Sequence, residues 1–231
     1  MNNSAAWSNI YETSDFGNLY PSSYLVSLFH SRIKPLLLQK NNLQDVNILD
    51  FGCSIGANSV VFQNLQMNTY GIDVSVKAIE RLHSNKIGDN EHFKAANLLD
   101  SELEIDDIFP GVKFDCIIAS EIMYYFKDAE RTMILNKFSK AMNKDAIIYV
   151  SMPSYDMALY NAYKEVPKDE NGMVEVKESG RIKDTLWVNL PRTIEDVSKM
   201  FKPFKTIDIL TTNLPVRSNE NMIEYHLIAQ L

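Results

Sequence analysis

The residues best able to do chemistry lie in a short loop that follows an apolar run. Asp50 ends this run, and Gly52 and Gly56 come before a helix start. Glycine lets the backbone adopt positive φ angles and lets a ligand approach the main chain closely. In an open α/β sheet, such a turn lies at the carboxyl end of the first strand, beside the point where ligands bind. The loop therefore predicts a site for a nucleotide-like cofactor.

Two common nucleotide motifs do not fit this loop. A dinucleotide fingerprint needs Gly-x-Gly-x-x-Gly, but from Gly52 the second and third places hold Ser54 and Ala57. A phosphate-binding loop needs a Lys after its last glycine, and none follows Gly56. The pattern that does fit is acid-x-Gly-x-x-x-Gly, which starts at Asp50.

Polar residues end four apolar runs at a regular spacing. Asp50, Asp73, Asn97 and Ser120 stand at these ends, 23, 24 and 23 residues apart. Each interval has room for one strand and one helix, and residues 75–82 show helical spacing behind a serine cap. This alternation predicts a parallel sheet with right-handed crossovers and helices on both faces. The runs are 46–51, 67–73, 91–97 and 113–120.

The end of the chain predicts the rest of the sheet. A fifth strand is expected at 145–151, and two further apolar runs lie at 204–212 and 221–231. Only eight residues separate the last two runs, which is too short for a helical crossover. We therefore expect the last two strands to be antiparallel neighbours.

Three further helices are predicted from apolar periodicity and capping residues. One covers residues 21–39, where Pro35 is expected to kink or split it. A second covers residues 128–142, with Asp128 as its cap. A third begins at Thr193, which opens a capping-box pattern.

The chain of 231 residues suits a single domain with one core. Its predicted parts are an N-terminal helical cap, a cofactor-binding core, an insertion or lid, and a closing helix with a strand pair. The insertion carries prolines, glycines and many charges, and we expect it to hold some helix and a hairpin over the strand ends. The parts span 1–45, 46–151, 152–192 and 193–231.

Composition excludes several classes of function. The chain has 23 Lys and Arg against 30 Asp and Glu, a net charge of −7, which opposes binding to nucleic acids or anionic membranes. No apolar run approaches the ~20 residues needed to cross a bilayer. Two Cys give no disulfide framework, and no His, Cys, Asp or Glu group has metal-ligand spacing. We therefore expect no bound metal. The N-terminus lacks the features of a signal peptide, so we also expect a cytoplasmic protein.

The glycine loop and the polar strand ends together resemble the class I S-adenosylmethionine-dependent methyltransferases. The first motif of that family is (D/E)-x-G-x-G-x-G, and Ser54 stands here at its middle glycine. The resemblance covers about residues 46–151 and the closing strand pair. It implies a Rossmann-like, mostly parallel seven-stranded sheet in the order 3-2-1-4-5-7-6, with one antiparallel strand.

The resemblance also implies which residues contact S-adenosylmethionine, or its product S-adenosylhomocysteine. Asp73 is expected to accept bonds from the ribose hydroxyls, and Val74 to flank the adenine. The Asn97 side chain and the Leu98 N–H are expected to meet the adenine edge. The remaining expected contacts come from the first loop and the end of the fourth strand, namely Asp50, Gly52, Cys53, Ser54, Gly56 and Ser120. Tyr20, an aromatic residue in a polar N-terminal run, could close over the sulfonium by cation–π contact or pack the N-terminal arm on the sheet.

Catalysis and acceptor binding are assigned to fewer residues. Glu121 follows the fourth strand and is the candidate general base, although it could also bind the amine of the cofactor or cap a turn. Tyr124 stands near the place where many relatives carry an acidic-His pair. Tyr155 and Trp187 lie in the insertion and, with Tyr124, are the candidate acceptor contacts, although aromatic residues also serve simply as packing.

The resulting prediction is methyl transfer from S-adenosylmethionine to an oxygen or nitrogen of a soluble small molecule. The rate is expected to come mainly from proximity and orientation. Residues 15–22 also look similar to small methyltransferases that modify bacterial sugars or surface-polysaccharide precursors. A protein or peptide methyltransferase, a catalytically silent cofactor-binding module and a nicotinamide-dependent dehydrogenase are the alternatives. The sequence leaves the oligomeric state open.

Overall fold

The computed structural model describes residues 3–13, 20–39, 41–155, 172–176, 185–217 and 220–231. Its helices are α1 (Asn3–Thr13), α2 (Ser23–Leu28), α3 (Lys34–Leu38), α4 (Ser59–Asn64), α5 (Val76–Ser84), α6 (Ile105–Ile108), α7 (Asp128–Ala141) and α8 (Ile194–Met200). Its strands are β1 (Asn47–Phe51), β2 (Asn68–Asp73), β3 (Phe93–Ala95), β4 (Phe114–Ser120), β5 (Met142–Pro153), β6 (Val174–Val176), β7 (Leu186–Val188), β8 (Lys205–Arg217) and β9 (Glu220–Gln230).

Seven strands form one sheet in the order β3-β2-β1-β4-β5-β9-β8. The first five strands are parallel, while β9 runs antiparallel to both of its neighbours, β5 and β8. The predicted Rossmann-like sheet, its strand order and its one antiparallel strand are therefore confirmed. The helical crossovers cover both faces, which explains why the central strands are almost uninterrupted apolar runs.

Alternate residues of the central strands pack on opposite faces of the sheet. Ile48 of β1 belongs to a buried cluster with Phe29 of the N-terminal helical segment. Leu49, its neighbour, belongs to a second cluster with Phe138 of α7. Since both clusters are buried, β1 is fixed from two sides, and the loop that follows it has a rigid base.

The N-terminal helix predicted for residues 21–39 is interrupted, as Pro35 led us to expect. A π-helical turn at Phe29–Ile33 separates α2 from α3. Pro35 stands in the first turn of α3, where its missing N–H cannot continue the hydrogen-bond ladder of α2. The predicted serine cap of α5 and the capping box at Thr193 are both present.

Two predicted boundaries are wrong. The cap of α7 is Lys127, whose N–H donates to the Glu130 carboxylate at 2.9 Å, and Asp128 is the first helical residue. Strand β8 is longer than predicted and β9 begins one residue earlier, so that two residues separate them instead of eight. Pro215 weakens the strand pattern there, but β8 is an edge strand and tolerates a residue without an N–H. The two strands are antiparallel neighbours, as predicted.

The insertion after β5 contributes a second, small sheet. β6 and β7 pair antiparallel through Val174–Val176 and Leu186–Val188, in agreement with the expected hairpin. The helix expected in this segment lies outside the described residues. Within the described part of the chain, no helix combines the length and apolar character needed to span a membrane.

Gly71 fixes the packing of β2 against β3 close to the glycine loop. A Cβ at Gly71 would come within 2.5 Å of the Phe93 ring and 2.9 Å of the Cys53 sulfur. Both side chains are buried, so we expect Gly71→Ala to lower the free energy of unfolding by about 1–3 kcal/mol in urea titrations. Gly111→Ala measures the separate cost of a Cβ at positive φ without a clash, because Gly111 has a φ of +73° and open space around it. Unchanged stability of Gly71→Ala would contradict the steric explanation.

Candidate active site

A cavity of about 590 Å³ opens at the carboxyl ends of β1, β2 and β4. These strands end on either side of the point where the strand order reverses, between β1 and β4. The volume falls within the range of small-molecule sites. The predicted site residues that line the cavity are Tyr20, Gly52, Cys53, Ser54, Asp73, Val74, Asn97, Leu98, Ser120, Glu121 and Trp187.

The loop after β1 is held in its tight turn by backbone bonds to β2. The N–H groups of Gly52 and Cys53 both donate to the carbonyl of Ile72, at 2.7 and 3.1 Å. Gly52 and Ser54 have φ angles of +75° and +54°. A Cβ at position 52 would overlap Ile122 at 2.3 Å, so this place needs glycine. Ser54 adopts the left-handed region in spite of its side chain, at a cost of about 1–2 kcal/mol.

Asp73 at the end of β2 joins two parts of the cavity floor. One carboxylate oxygen accepts the Ser54 N–H at 2.9 Å, and the other accepts the Ser75 N–H at 2.9 Å. The side chain is 8% exposed, on the cavity wall. Burial raises the pKa of Asp73, and the backbone N–H bonds partly oppose that rise. The carboxylate thus fixes the glycine loop to the start of α5.

Asp50 lies beneath the loop rather than in the cavity lining. Its carboxylate accepts a bond from the Ser59 hydroxyl at 2.6 Å, close to the start of α4, and the residue is 1% exposed. Burial raises the pKa of Asp50 to about 7, although the Ser59 bond opposes the rise. Asp50 therefore supports the turn from behind.

Helix α1 and strand β7 cover the side of the cavity opposite the sheet. The Tyr11 hydroxyl donates to the Ser54 hydroxyl at 2.6 Å. The Asn3 side chain donates to the carbonyls of Tyr125 and Trp187, at 2.8 and 2.9 Å, and accepts the Trp187 N–H at 3.0 Å. Trp7 packs edge-on against Tyr125, with ring centroids 5.2 Å apart. The N-terminal helix is thus tied to both the glycine loop and the small sheet.

The chain matches a family model described as a methyltransferase domain over residues 23–212. The chain belongs to the methyltransferase family. The match runs from α2 into β8 and includes the strand ends that surround the cavity. The predicted methyltransferase family is thus confirmed.

Solved structures of other methyltransferases share the fold. An S-adenosylmethionine-dependent methyltransferase of Methanosarcina mazei is 17% identical, with a TM-score of 0.65 over 85% of this chain and 96% of that one. One from Anabaena variabilis is 15% identical, with a TM-score of 0.65 over 100% and 95%. Magnesium protoporphyrin IX methyltransferase of Synechocystis, solved with S-adenosylhomocysteine, is 15% identical, with a TM-score of 0.57 over 98% and 92%. A comparison with curated protein sequences gave no significant match.

The chemistry of the cavity fits the methyltransferase cofactor. Asp73 offers a carboxylate at the end of β2, and such a group has about four acceptor positions, more than the two bonds to Ser54 and Ser75 use. Asn97 offers an amide beside it. The rings of Trp7 and Tyr125 supply aromatic faces, which attract a cationic sulfonium.

Glu121 follows β4 in a constrained backbone conformation. Its φ is +57°, and its N–H donates to the Ser151 carbonyl at 3.1 Å and to the Ser151 hydroxyl at 3.2 Å. Its carboxyl contacts the hydroxyls of Ser151 and Tyr124, at 3.2 and 3.4 Å. The residue is exposed and lines the cavity. Partial removal from water and the negative charge of Glu224 raise the pKa of Glu121.

Four predicted site residues lie outside the cavity lining. Asp50 and Gly56 are behind the loop, where a Cβ at Gly56 would meet the buried side chains of Ile87 and Leu82. Tyr124 is buried, and its hydroxyl bonds to Glu121 at 3.4 Å and to the Tyr125 hydroxyl at 3.0 Å, two residues that line the cavity. Tyr155 is buried under the guanidinium of Arg192, 4.5 Å from its ring centroid. The last two expected acceptor contacts therefore need correction, since both rings are used in packing.

Sequence reasoning missed the residues contributed by α1. Asn3, Trp7 and Tyr11 line the cavity, yet residues 3–13 were not assigned to a helix. The available signal was the spacing of the two aromatic residues, four apart, which places them on one helix face. Among the described residues, no cluster of three or more His, Cys, Asp or Glu has metal-binding geometry.

The buried Asp50 carboxyl should make stability depend on pH. Its pKa of about 7 in the folded chain exceeds the ordinary value of 3.8, so the folded state holds a proton that the unfolded state releases. Stability should therefore fall as pH rises from about 4 to about 7, by on the order of 4 kcal/mol from this group. We expect Asp50→Asn to remove that part of the slope in urea titrations at pH 5 and pH 8. An equal slope in both proteins would contradict it.

Proposed function

We propose that this methyltransferase acts on a small molecule and transfers the methyl group to an oxygen or nitrogen atom. The observation that carries the proposal is the cover over the cavity. Asn3, Trp7 and Tyr11 of α1 and Trp187 of β7 close the side away from the sheet, and their hydrogen bonds tie the cover to the loop and to Tyr125. An enclosed cavity favours a small acceptor over the surface of a protein.

The cofactor is assigned to the half of the cavity that lies over β1 and β2. Asp73 receives the ribose hydroxyls, Val74 flanks the adenine, and Asn97 with the Leu98 N–H meets the adenine edge. The Gly52–Ser54 loop passes beneath the cofactor, and Ser120 at the end of β4 meets its methionine part. Support for this assignment comes from the cavity lining, which brings these residues to one edge of the sheet.

When bound, the cofactor supplies an electrophilic methyl carbon, which an acceptor oxygen or nitrogen takes as the carbon–sulfur bond breaks and S-adenosylhomocysteine is left. The protein's own contribution is position, exclusion of water and removal of a proton. Proximity and orientation can supply about 7–11 kcal/mol of the barrier. Trp7, Tyr11 and Trp187 exclude water from the cavity, and Glu121 is the group placed to take the proton of the acceptor.

The similarity of residues 15–22 to sugar-modifying enzymes makes sugar precursors one acceptor class to examine. Apart from Tyr20 and the two residues after it, this run lies outside the described residues. A peptide methyltransferase and a silent binding module stay as alternatives. The cover over the cavity argues against the first, and turnover would exclude the second.

The cofactor assignment predicts selective binding. In calorimetric titrations, S-adenosylhomocysteine should bind and NADH should not. Asp73→Ala should weaken binding of S-adenosylhomocysteine at least tenfold, because it removes both the ribose acceptor and the bond that orders Ser54. Asp208→Ala, on the outer strand β8, is the matched control and should bind like the wild type. Unchanged affinity in a folded Asp73→Ala variant would overturn the ribose assignment.

The acceptor class can be tested by measuring the release of S-adenosylhomocysteine in the presence of candidate acceptors. The panel consists of small amines, hydroxy compounds and sugar nucleotides, with basic peptides for comparison. We expect turnover in the small-molecule part of the panel. Trp187→Ala opens the cover, and we expect it to lower kcat/KM for the active acceptor by at least tenfold. Turnover confined to peptides would favour the alternative.

A further inference from the structure

A buried serine lies directly behind the carboxyl end of β4. Ser151 of β5 is paired with Ser120 in the parallel ladder between these strands. It is 1% exposed and lies outside the cavity lining, whereas Ser120 and Glu121 both line the cavity. A buried polar side chain needs partners inside the protein. The partners of Ser151 are the two residues that form this wall of the cavity.

The Ser151 hydroxyl contacts three polar groups of the β4 end. The Glu121 N–H donates to it at 3.2 Å, and one Glu121 carboxyl oxygen lies 3.2 Å from it. The Ser120 hydroxyl lies 3.1 Å from it. The Glu121 N–H also donates to the Ser151 carbonyl at 3.1 Å, so that two oxygens of one residue share it. Ser151 therefore holds Glu121 by its backbone and by its side chain.

The chemistry of these groups sets the direction of each hydrogen bond. A serine hydroxyl has one proton to donate and two lone pairs that accept, whereas an ionised carboxylate only accepts. The Ser151 proton is therefore donated to Glu121. Its lone pairs receive the Glu121 N–H and the Ser120 O–H. The Ser120 proton thus points away from the cavity, which leaves the Ser120 oxygen as an acceptor for the methionine part of the cofactor.

The backbone of Glu121 depends on the same contacts. Its φ of +57° lies in the left-handed region, which is unfavourable for a residue with a Cβ. Such a conformation persists only where its surroundings hold it, and it is concentrated at functional sites. The bonds from the Glu121 N–H to both oxygens of Ser151 hold this turn. The turn in turn places Glu121 in the cavity lining instead of continuing β4.

Two further groups act on the Glu121 carboxyl. The Tyr124 hydroxyl lies 3.4 Å from its second oxygen, so Ser151 is the nearer of the two hydroxyl donors. Partial removal from water and the negative charge of Glu224 of β9 raise the pKa of Glu121, and the hydroxyls of Ser151 and Tyr124 oppose that rise. Within the described ranges, no Lys, Arg or His forms an ion pair with Glu121.

The groups around this wall do not compete for the Glu121 carboxyl. His226 of β9 stands opposite Ser151 in the sheet, and its Nδ1 is bonded to the Tyr149 hydroxyl at 2.9 Å. Burial lowers the pKa of His226, which favours its neutral form. The other charged residues of the cavity lining are Asp73, Lys127 and Glu130. The Ser151 hydroxyl is therefore the donor that favours the ionised form of Glu121 from inside the sheet.

From these contacts we infer that Ser151 is a positioning residue, which holds the ionised Glu121 carboxylate towards the methyl acceptor. The inference deepens the proposed function and rests on it. Glu121 is the catalytic residue, since it lines the cavity in which the acceptor binds. Ser151 acts through Glu121. A carboxylate held in this way accepts hydrogen bonds, so it selects an acceptor that has a proton to give up, a hydroxyl compound or an amine.

The proton balance of the step follows from these roles. The acceptor's O–H or N–H bond breaks, and its proton forms an O–H bond on the ionised Glu121 carboxylate. The electron pair left on the oxygen or nitrogen forms the new bond to the methyl carbon, while the pair of the broken carbon–sulfur bond stays on sulfur. Glu121 then returns the proton to water through the cavity after the products leave.

The role of Ser151 can be tested by carbon NMR on the full-length protein with 13C-labelled glutamate carboxyls, titrated between pH 4 and pH 9. The Glu121 signal is identified by its loss in Glu121→Gln. In Ser151→Ala, the acid dissociation constant of Glu121 should fall at least threefold, because the ionised carboxylate loses a donor. Ser151→Thr, which keeps the hydroxyl, should restore most of the wild-type value.

Ser139→Ala is the matched control, because it removes a hydroxyl that bonds to the Leu135 carbonyl within α7. It should leave the Glu121 signal unmoved. A folded Ser151→Ala protein in which Glu121 titrates as in the wild type would overturn the inference, and so would an equal shift in Ser139→Ala.

Kinetics with the active acceptor of the panel distinguish positioning from a general loss of structure. Ser151→Ala should lower kcat at least fivefold with KM within about threefold, and the pH of half-maximal kcat should rise, since the base must be ionised. In a Glu121→Gln background the same change should alter kcat less than twofold, because Ser151 acts through Glu121. Equal losses in the two backgrounds would show that Ser151 acts by another route, which contradicts the inference.

A binding measurement separates this inference from the proposed function. By calorimetry, Ser151→Ala should bind S-adenosylhomocysteine within about threefold of the wild type. A tenfold loss would mean that Ser151 supports the cofactor instead of the base, which overturns the inference and leaves the methyltransferase proposal standing. Absence of binding in the wild type would instead count against the proposed function, whatever the NMR titration gives.

Discussion

The Asp73 carboxylate is the interaction on which the geometry of the cavity depends. Its two oxygens accept the N–H groups of Ser54 and Ser75, which belong to the loop after β1 and to the cap of α5. A carboxylate in a poorly solvated position is stable only with such donors. The bonds that keep Asp73 in place therefore also give the loop its shape. The Ser54 hydroxyl in turn accepts a hydrogen bond from the Tyr11 hydroxyl of α1. Because Asp73 fixes Ser54, the position of the cover also depends on the Asp73 carboxylate.

The cover illustrates how distant parts of the chain converge on one cavity. Asn3 bonds to Trp187 and Tyr125, which are 184 and 122 positions away in sequence. One amide side chain satisfies three backbone groups, including the N–H and C=O of one β7 residue. Buried backbone groups need such partners. The N-terminal helix therefore occupies the place of a neighbouring strand at this edge of β7, and this fixes the wall of the cavity opposite the sheet.

The parts of the fold that follow from local pattern could be predicted from the sequence. Buried strands whose polar ends recur every 23 or 24 residues predicted a parallel sheet and placed Asp73, Asn97 and Glu121 at one edge. The strand order followed from the resemblance to the methyltransferase family. Contacts set by tertiary packing could not be predicted. Tyr124 and Tyr155 have the same residue type as Tyr11, yet only Tyr11 lines the cavity, because the choice depends on which ring finds space in the core.

The three carboxyls at the ends of β1, β2 and β4 show how surroundings divide one residue type into different roles. Burial raises the pKa of all three. Asp50 has the Ser59 hydroxyl as its hydrogen-bond donor and lies out of reach of the cavity, so it serves as a support. Asp73 has backbone N–H donors, which favour its charged form and suit it to accept ligand hydroxyls. Glu121 has another carboxyl as its neighbour, which favours a proton. Environments that push the pKa values of similar groups apart are how a single site obtains both an acceptor and a base.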